Sequence, residues 1–348
     1  MAEQLRIGLI GYGFASKTFH APLINGTPGM SLDVISSRDA AKVRADWPSV
    51  QVVDNPQALI NHPDIDLIVI PTPNDTHFPL AKQALLAGKH VVIDKPFTVT
   101  LSQAHELKQL AESAGRLLSV FHNRRWDSDF LTLKGLMEDG NLGDISYFES
   151  HFDRFRPEVQ QRWREQAGAG SGIWYDLGPH LIDQAITLFG MPVAINADLA
   201  QLRPGGQTTD YFHATLTYPN KRVALHGTLL AAAESPRYIV HGGKGSYVKW
   251  GLDPQEDRLK SGLRPPAADW GQDDRHGVLT HLSEGTLIAS SVPTLPGNYP
   301  AYYAAITQAV QLGSQNPVTA EQAIKVMELI ELGIASSEQK KTLAVKNG

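Results

Sequence analysis

The segment "LRIGLIGYGFASKTFH" (residues 5–20) limits what this chain can become more than any other stretch. An apolar run with the texture of a buried strand is followed at once by Gly11, Gly13 and Ser16, a G-x-G-x-x-S series, and then by a helical pattern. Glycine at 11 permits the tight strand-to-helix turn, and glycine at 13 lets the backbone come close to a pyrophosphate. The start of the next helix then offers unpaired N–H groups to the phosphates. Ser16 stands where a third glycine is usual, and it is small enough for close helix–strand packing. The turn, with Tyr12 and Phe14 inside it, is therefore read as a dinucleotide-binding element.

The rest of the first 122 residues supports that reading. "LDVI", "VQVV", "DLIVI", "HVVID" and "LLSVF" are short, nearly all-apolar runs. Between them lie helical patterns such as "FPLAKQALLAG" and "LSQAHELKQLAESAG", each closed by glycine. Fully apolar strands separated by helices predict a doubly wound α/β domain whose parallel sheet is covered on both faces. After Asn123 the texture changes. "TDYFHATLTYPNKRVALHGTLL" and "RYIVHGGKGSYVKW" read as hairpins, which predicts an open, mostly antiparallel sheet with helices on one face. "GLRPPAADWGQDDRHG" reads as an exposed, turn-rich loop, and a helical tail follows. A chain of 348 residues exceeds what one core serves, so domains over 1–122 and 123–348 are expected.

The second apolar run ends in Ser36-Ser37-Arg38. An NAD site places a carboxylate there for the ribose hydroxyls, whereas a hydroxyl beside a guanidinium suits a 2′-phosphate. The expected cofactor is NADP, with NAD the alternative, and Asp39 next door tempers the local positive charge. The absence of cysteine removes disulfides, thiolate metal sites and cysteine nucleophiles. A net charge of −5 without a dense Lys/Arg cluster argues against nucleic acid and anionic membrane as partners. No apolar run is long enough to span a bilayer and the start is not signal-like, so a cytoplasmic protein is expected. The histidines lack metal-ligand spacing and no G-x-S-x-G serine occurs, so no metal is expected.

Four motifs in order, "GYGFAS", "PTPNDTH", "DKP" and "GSGIWYDLGPHLID", resemble the Gfo/Idh/MocA oxidoreductases, the glucose–fructose oxidoreductase and inositol dehydrogenase family. The likeness runs over nearly the whole chain. It implies a Rossmann domain followed by a substrate-binding and oligomerisation domain, assembled as a homodimer or homotetramer. It also implies hydride transfer between nicotinamide and a hydroxyl or carbonyl carbon of a sugar, polyol or similar small polar molecule. Lys95 in "VVIDKPF" matches the family lysine that reaches the cofactor and the reacting oxygen. Asp94 departs from the usual glutamate there but keeps the charge. The resemblance gives His180 the acid/base role and makes Asp176 its partner at the site.

Read from the residues alone, Asp176 is a plausible N-cap, Pro179 falls in the first turn and Gly190 stops the helix, so that 176, 180 and 183 share one face. The positive helix end favours the neutral imidazole that a general base requires. Asp183 reads as a solvated or packing carboxylate. Further residues matched to the cofactor are Pro71, Thr72, Asn74, His77, Asn123, Trp163 and Arg164, and Arg125, Tyr175 and Tyr299 are candidates to line the substrate. Relatives include nucleotide-retaining reductases and glycosidases. These, together with a non-catalytic NADP-sensing regulator, are the alternative functions.

Overall fold

The structure, a computed structural model, describes residues 4–161 and 165–346. Two compact units share the chain. One comprises residues up to Trp126 together with Pro254–Trp270 and Asn298–Ile324, and the other comprises the remainder.

The first unit holds strands β1 (Leu5–Ile10), β2 (Met30–Ser36), β3 (Gln51–Val53), β4 (Leu67–Ile70), β5 (His90–Asp94) and β6 (Leu118–Phe121). All pair in parallel, in the order β3-β2-β1-β4-β5-β6. Both faces are covered, so β4 and β6 are buried at every residue, as their nearly all-apolar runs require. The helix Leu101–Ala114 shows how local chemistry sets its bounds. Thr100 accepts a hydrogen bond from the Gln103 amide at its start, and Gly115 at φ 60° closes it in the left-handed conformation. Strand order reverses between β1 and β4. In such sheets ligands bind outside the carboxyl ends of the strands at that reversal.

The units do not follow a single cut at residue 122, because two later segments return to the first. The reason lies at the end of β6. Phe121 packs against Tyr302 and Tyr303 of the helix Pro300–Leu312, with ring centroids 5.0 and 5.8 Å away. The Tyr302 hydroxyl lies 2.8 Å from Ser119 Oγ, and the Tyr303 hydroxyl 2.6 Å from Nδ1 of the fully buried His20. Without these tyrosines that end of the sheet would expose aromatic and imidazole surface.

The second unit is built on a nine-stranded sheet: β7 (Ile145–His151), β8 (Ala194–Ala200), β9 (Tyr211–Thr217), β10 (Arg222–Thr228), β11 (Pro236–Gly242), β12 (Gly245–Trp250), β13 (Gly277–Ser283), β14 (Thr286–Val292) and β15 (Leu343–Ala344). The order is β14-β13-β12-β11-β7-β10-β9-β8-β15, and β7 and β10 are its parallel pair. One face carries Phe148, Phe212, Leu216, Leu225 and Val240 against Leu181, Ile182 and Ala185 of the helix Gly178–Phe189. The opposite face carries the alternate, mostly polar residues. The stretch expected to be an exposed, turn-rich loop is mostly exposed, but it is pinned at one buried carboxylate. Asp273 is buried 3.1 Å from Lys249 Nζ and accepts from Ser128 Oγ. Among the described residues no helix is long and apolar enough to cross a membrane.

Arg237 ties the sheet to its helices. Its buried guanidinium lies 3.2 Å from Asp129, donates to Ser150 Oγ and to Gln184 Oε1 at 2.7 Å each, and lies over the Tyr238 ring. Replacing it by methionine keeps the volume but strands a buried carboxylate, a loss of about 3–5 kcal/mol. Arg237→Met is expected to lower the thermal midpoint by on the order of 10 °C, read by calorimetry. A change within 2–3 °C would show that Asp129 is solvated or otherwise neutralised.

Candidate active site

The glycine turn has the form a dinucleotide needs. Gly11 sits at φ 83°, where any side chain is strained, and a Cβ there would meet the Thr72 methyl at 3.5 Å. A Cβ on Gly13 would meet nothing within 4 Å, so the backbone is open to a close approach. Ser16 is buried, and its hydroxyl has no hydrogen-bond partner among the described residues. It opens a π-helical turn, Ser16–His20, that runs on into the helix Ala21–Asn25. Wide turns of this kind recur at functional sites. Phe14 is exposed on the turn. The Tyr12 side chain points away from it, bonded to Asp46 at 2.8 Å and to the Trp47 indole at 2.8 Å, so only the Tyr12 backbone belongs to the turn. Burial and the Asp46 carboxylate push the Tyr12 phenol well up, which keeps it neutral.

At the tip of β2, Arg38 is exposed and Ser37 half-buried. One oxygen of Asp39 is engaged by the helix that follows. Its carboxylate caps the helix Ala40–Asp46 by accepting from the Lys42 amide at 3.0 Å. Lys42, unremarked in the sequence, brings a second cation to this corner, with Nζ 3.3 Å from the Tyr12 carbonyl. A signal was available, since Lys42 lies one helical turn after Arg38.

Beyond β4, Asn74 begins the helix Asn74–Leu86 and Thr72 Oγ1 meets Thr76 Oγ1 at 2.6 Å. His77 does not face a ligand. It is fully buried, with Nδ1 2.8 Å from the Pro96 carbonyl and Nε2 2.9 Å from that of Thr72. It braces the Pro71–Thr72 loop against the turn that carries Lys95. Lys95 is half-buried at the C-terminal end of β5 and precedes a cis peptide bond to Pro96. Asp94 accepts from the Lys95 amide at 2.7 Å and lies 3.6 Å from His20 Nε2. Burial works to raise the Asp94 carboxyl, but the nearby His20 imidazole and the Lys95 charge hold it below the usual carboxylate range. His20 is a second residue the sequence reading passed over, since only the fold joins it to Asp94 and Tyr303.

Gly11, Gly13, Thr72, Asn74, Asp94 and Lys95 therefore gather at one sheet edge of the first unit, and Ser37 and Arg38 lie at the same edge. Asn123 is buried in a 3-10 turn, Asn123–Trp126. Arg125 of that turn donates to Gln322 Oε1 at 3.0 Å, a tie within the unit. Tyr299 is not a lining residue. It is wholly buried at the start of the helix Pro300–Leu312, where its amide donates to Gln255 at 2.7 Å. Trp163 and Arg164 lie outside the described residues.

In the second unit the expected single helix is two. Gly172–Asp176 ends, and Gly178–Phe189 begins after Leu177, so Asp176 closes a helix rather than capping one. Pro179 has no N–H for the Tyr175 carbonyl, which removes the bond that a continuous helix would need. The joint is held by Trp174, whose indole donates to the Ile330 carbonyl at 3.0 Å. Glycine is needed on both sides of that ring, because a Cβ would come within 3.0 Å of it from Gly178 and 2.5 Å from Gly333. His180 lies buried in the first turn of the second helix, and Gly190 ends that helix. Asp176 lies 3.9 Å from Arg154 NH1, a pairing not foreseen in the sequence. Asp183 is buried rather than solvated. Tyr175 packs half-buried at the edge of the core.

Comparison with known proteins agrees with this arrangement. Residues 5–122 match the family model described as oxidoreductase family, NAD-binding Rossmann fold, and residues 134–345 the model for the oxidoreductase family C-terminal alpha/beta domain. The chain is 70% identical to the uncharacterized oxidoreductase YdgJ of Escherichia coli, over 99% of this chain and 100% of that one. It is 39% identical to the scyllo-inositol 2-dehydrogenase (NADP(+)) IolW of Bacillus subtilis, over 99% and 97%. The solved structure of YPO2259 from Yersinia pestis superposes with a TM-score of 0.97 at 65% identity, covering 100% of this chain and 99% of that one. Fold, nucleotide turn and both family models lead to one conclusion: the chain is an NAD(P)-dependent oxidoreductase of the Gfo/Idh/MocA family.

Proposed function

We propose that this enzyme is an NADP(H)-dependent dehydrogenase acting on a ring or chain hydroxyl of a polyol or sugar. The observation that carries the cofactor choice is the pair of cations, Arg38 and Lys42, beside Ser37 at the β2 tip, where the Asp39 carboxylate is engaged in a helix cap. A ribose 2′-phosphate suits that set, whereas a bare 2′-hydroxyl would want a carboxylate. The dehydrogenase name of the IolW relative supports a cyclic polyol as substrate class.

When bound, the nicotinamide supplies the hydride acceptor or donor. The turn at Gly11 and Gly13 would hold the pyrophosphate, and Thr72 and Asn74 would contribute to holding the nicotinamide half. In oxidation, the Lys95 ammonium donates a hydrogen bond to the substrate oxygen and steadies its developing charge. His180 takes the hydroxyl proton as the carbon–oxygen double bond forms, and Asp176 holds the geometry. Reduction reverses these steps. Self-association as a dimer or tetramer belongs to the same reading, supported by the exposed Leu282, Leu287 and Ile288 of the β13–β14 hairpin.

Fluorescence titration tests the cofactor assignment. NADPH is expected to bind at least tenfold tighter than NADH, and Arg38→Ala to weaken NADPH by about 10- to 100-fold, the worth of a charge-assisted contact, while leaving NADH unchanged. Equal affinities in the wild type would overturn the NADP assignment. A panel of inositols, sugars and acyclic polyols with the preferred cofactor then tests the substrate class.

A further inference from the structure

The face of the nine-stranded sheet turned away from its core carries a cluster that the proposed reaction does not use. β7 and β10 lie side by side and parallel, with His151 opposite His226. His226 stands opposite His213 of β9, and His213 opposite Asp198 of β8. Alternation along β10 sends Val223 and Leu225 into the core, so His226 takes the other face. Beyond β7, Phe152 turns into the core and Asp153 returns to the His151 side.

Three of these groups converge. Asp153 Oδ1 lies 2.8 Å from His226 Nδ1, and Asp153 Oδ2 lies 3.1 Å from His151 Nδ1. One ligand atom from each of His151, Asp153 and His226 falls within 4.8 Å of the other two. Ligand atoms around an ion with bonds of about 2.0–2.2 Å stand roughly 3–4 Å apart, so small side-chain rotations complete the set. The outer groups are also in place. His151 Nε2 lies 2.6 Å from Glu149 Oε1, and Tyr147 donates to the same carboxylate. Metal-ligating histidines characteristically donate their far N–H to a carboxylate, which fixes the tautomer that leaves the near nitrogen free to coordinate.

The geometry points to a divalent transition-metal site formed by His151, Asp153 and His226, with Glu149 orienting His151. Two imidazoles and one carboxylate without thiolate suit Zn2+ and neighbouring first-row ions better than Mg2+ or Ca2+, which favour all-oxygen shells. Bound there, the ion joins β10 to β7 and to the segment that follows β7. None of the residues assigned to hydride transfer takes part.

The test is zinc binding by the full chain, free of affinity tag and stripped with EDTA. Calorimetric titration with ZnCl2 is expected to show one saturable site of micromolar or tighter affinity. The thermal midpoint should rise by about 5 °C at a hundredfold excess over Kd. Asp153→Asn and His226→Gln should each weaken binding at least tenfold while leaving circular dichroism and NADPH affinity as in the wild type. X-ray absorption on the zinc-loaded wild type gives a reading independent of the variants, with imidazole scattering in a shell of nitrogen and oxygen expected at about 2.0–2.1 Å. No saturable site below about 100 μM, a site kept intact in both variants, or an absorption spectrum without imidazole would overturn the assignment.

Discussion

Lys95→Ala is expected to lower kcat for polyol oxidation by about a thousandfold while changing NADPH affinity by less than about tenfold. Removing one preorganised donor to a developing oxyanion costs on the order of 10²–10³ in rate. The position makes the substitution informative. Lys95 leaves the C-terminal end of β5, its amide is held by Asp94, and the turn after it is braced by His77. Backbone and scaffold should therefore survive loss of the ammonium. Steady-state kinetics with fluorescence titration separates the two outcomes. A kcat within tenfold of the wild type would remove Lys95 from the chemistry and return it to the surface role of a strand-end lysine.

His180→Ala should be comparably severe, with kcat in the oxidative direction reduced by about 10²–10⁴, the range for loss of a positioned general base. The measurement that separates a base from a packing residue is the pH profile. A general base must be unprotonated to accept the hydroxyl proton, so wild-type kcat falls on the acid side as the base takes up a proton. In the variant that acid limb should flatten, because the group responsible is gone. A variant that is slow yet retains the acid limb would show that His180 acts through structure and that another group carries the proton. Because His180 is buried beside the Trp174 joint, His180→Asn serves as the folding control.

What was legible in the sequence follows from the range of the forces involved. The parallel strands were readable because two-sided burial favours nearly all-apolar runs, as in "DLIVI" and "LLSVF". Glycine stops such as Gly115 and Gly190 were readable because left-handed or otherwise unusual backbone favours glycine. The break at Leu177 was not, since Pro179 is tolerated in a first turn and the pattern does not say which helix it begins. The capping bond of Asp39 is visible only in geometry. Tyr299 and His77 were placed by residue type, and burial then gave both a bracing role. The groups least visible in the chain were those joined by register or long return. His226 meets Asp153 at a sequence separation of 73, and His20 meets Tyr303 at one of 283.

That last separation bears on how the molecule comes into being at the ribosome. The nucleotide-binding turn and every strand of its sheet are made by Phe121, just past the first third of the chain, yet the tyrosines that shield His20 and Phe121 arrive only with the helix Pro300–Leu312. For most of translation the nascent sheet therefore carries an uncovered aromatic end. Maturation of the earliest-made part waits on nearly the last-made one.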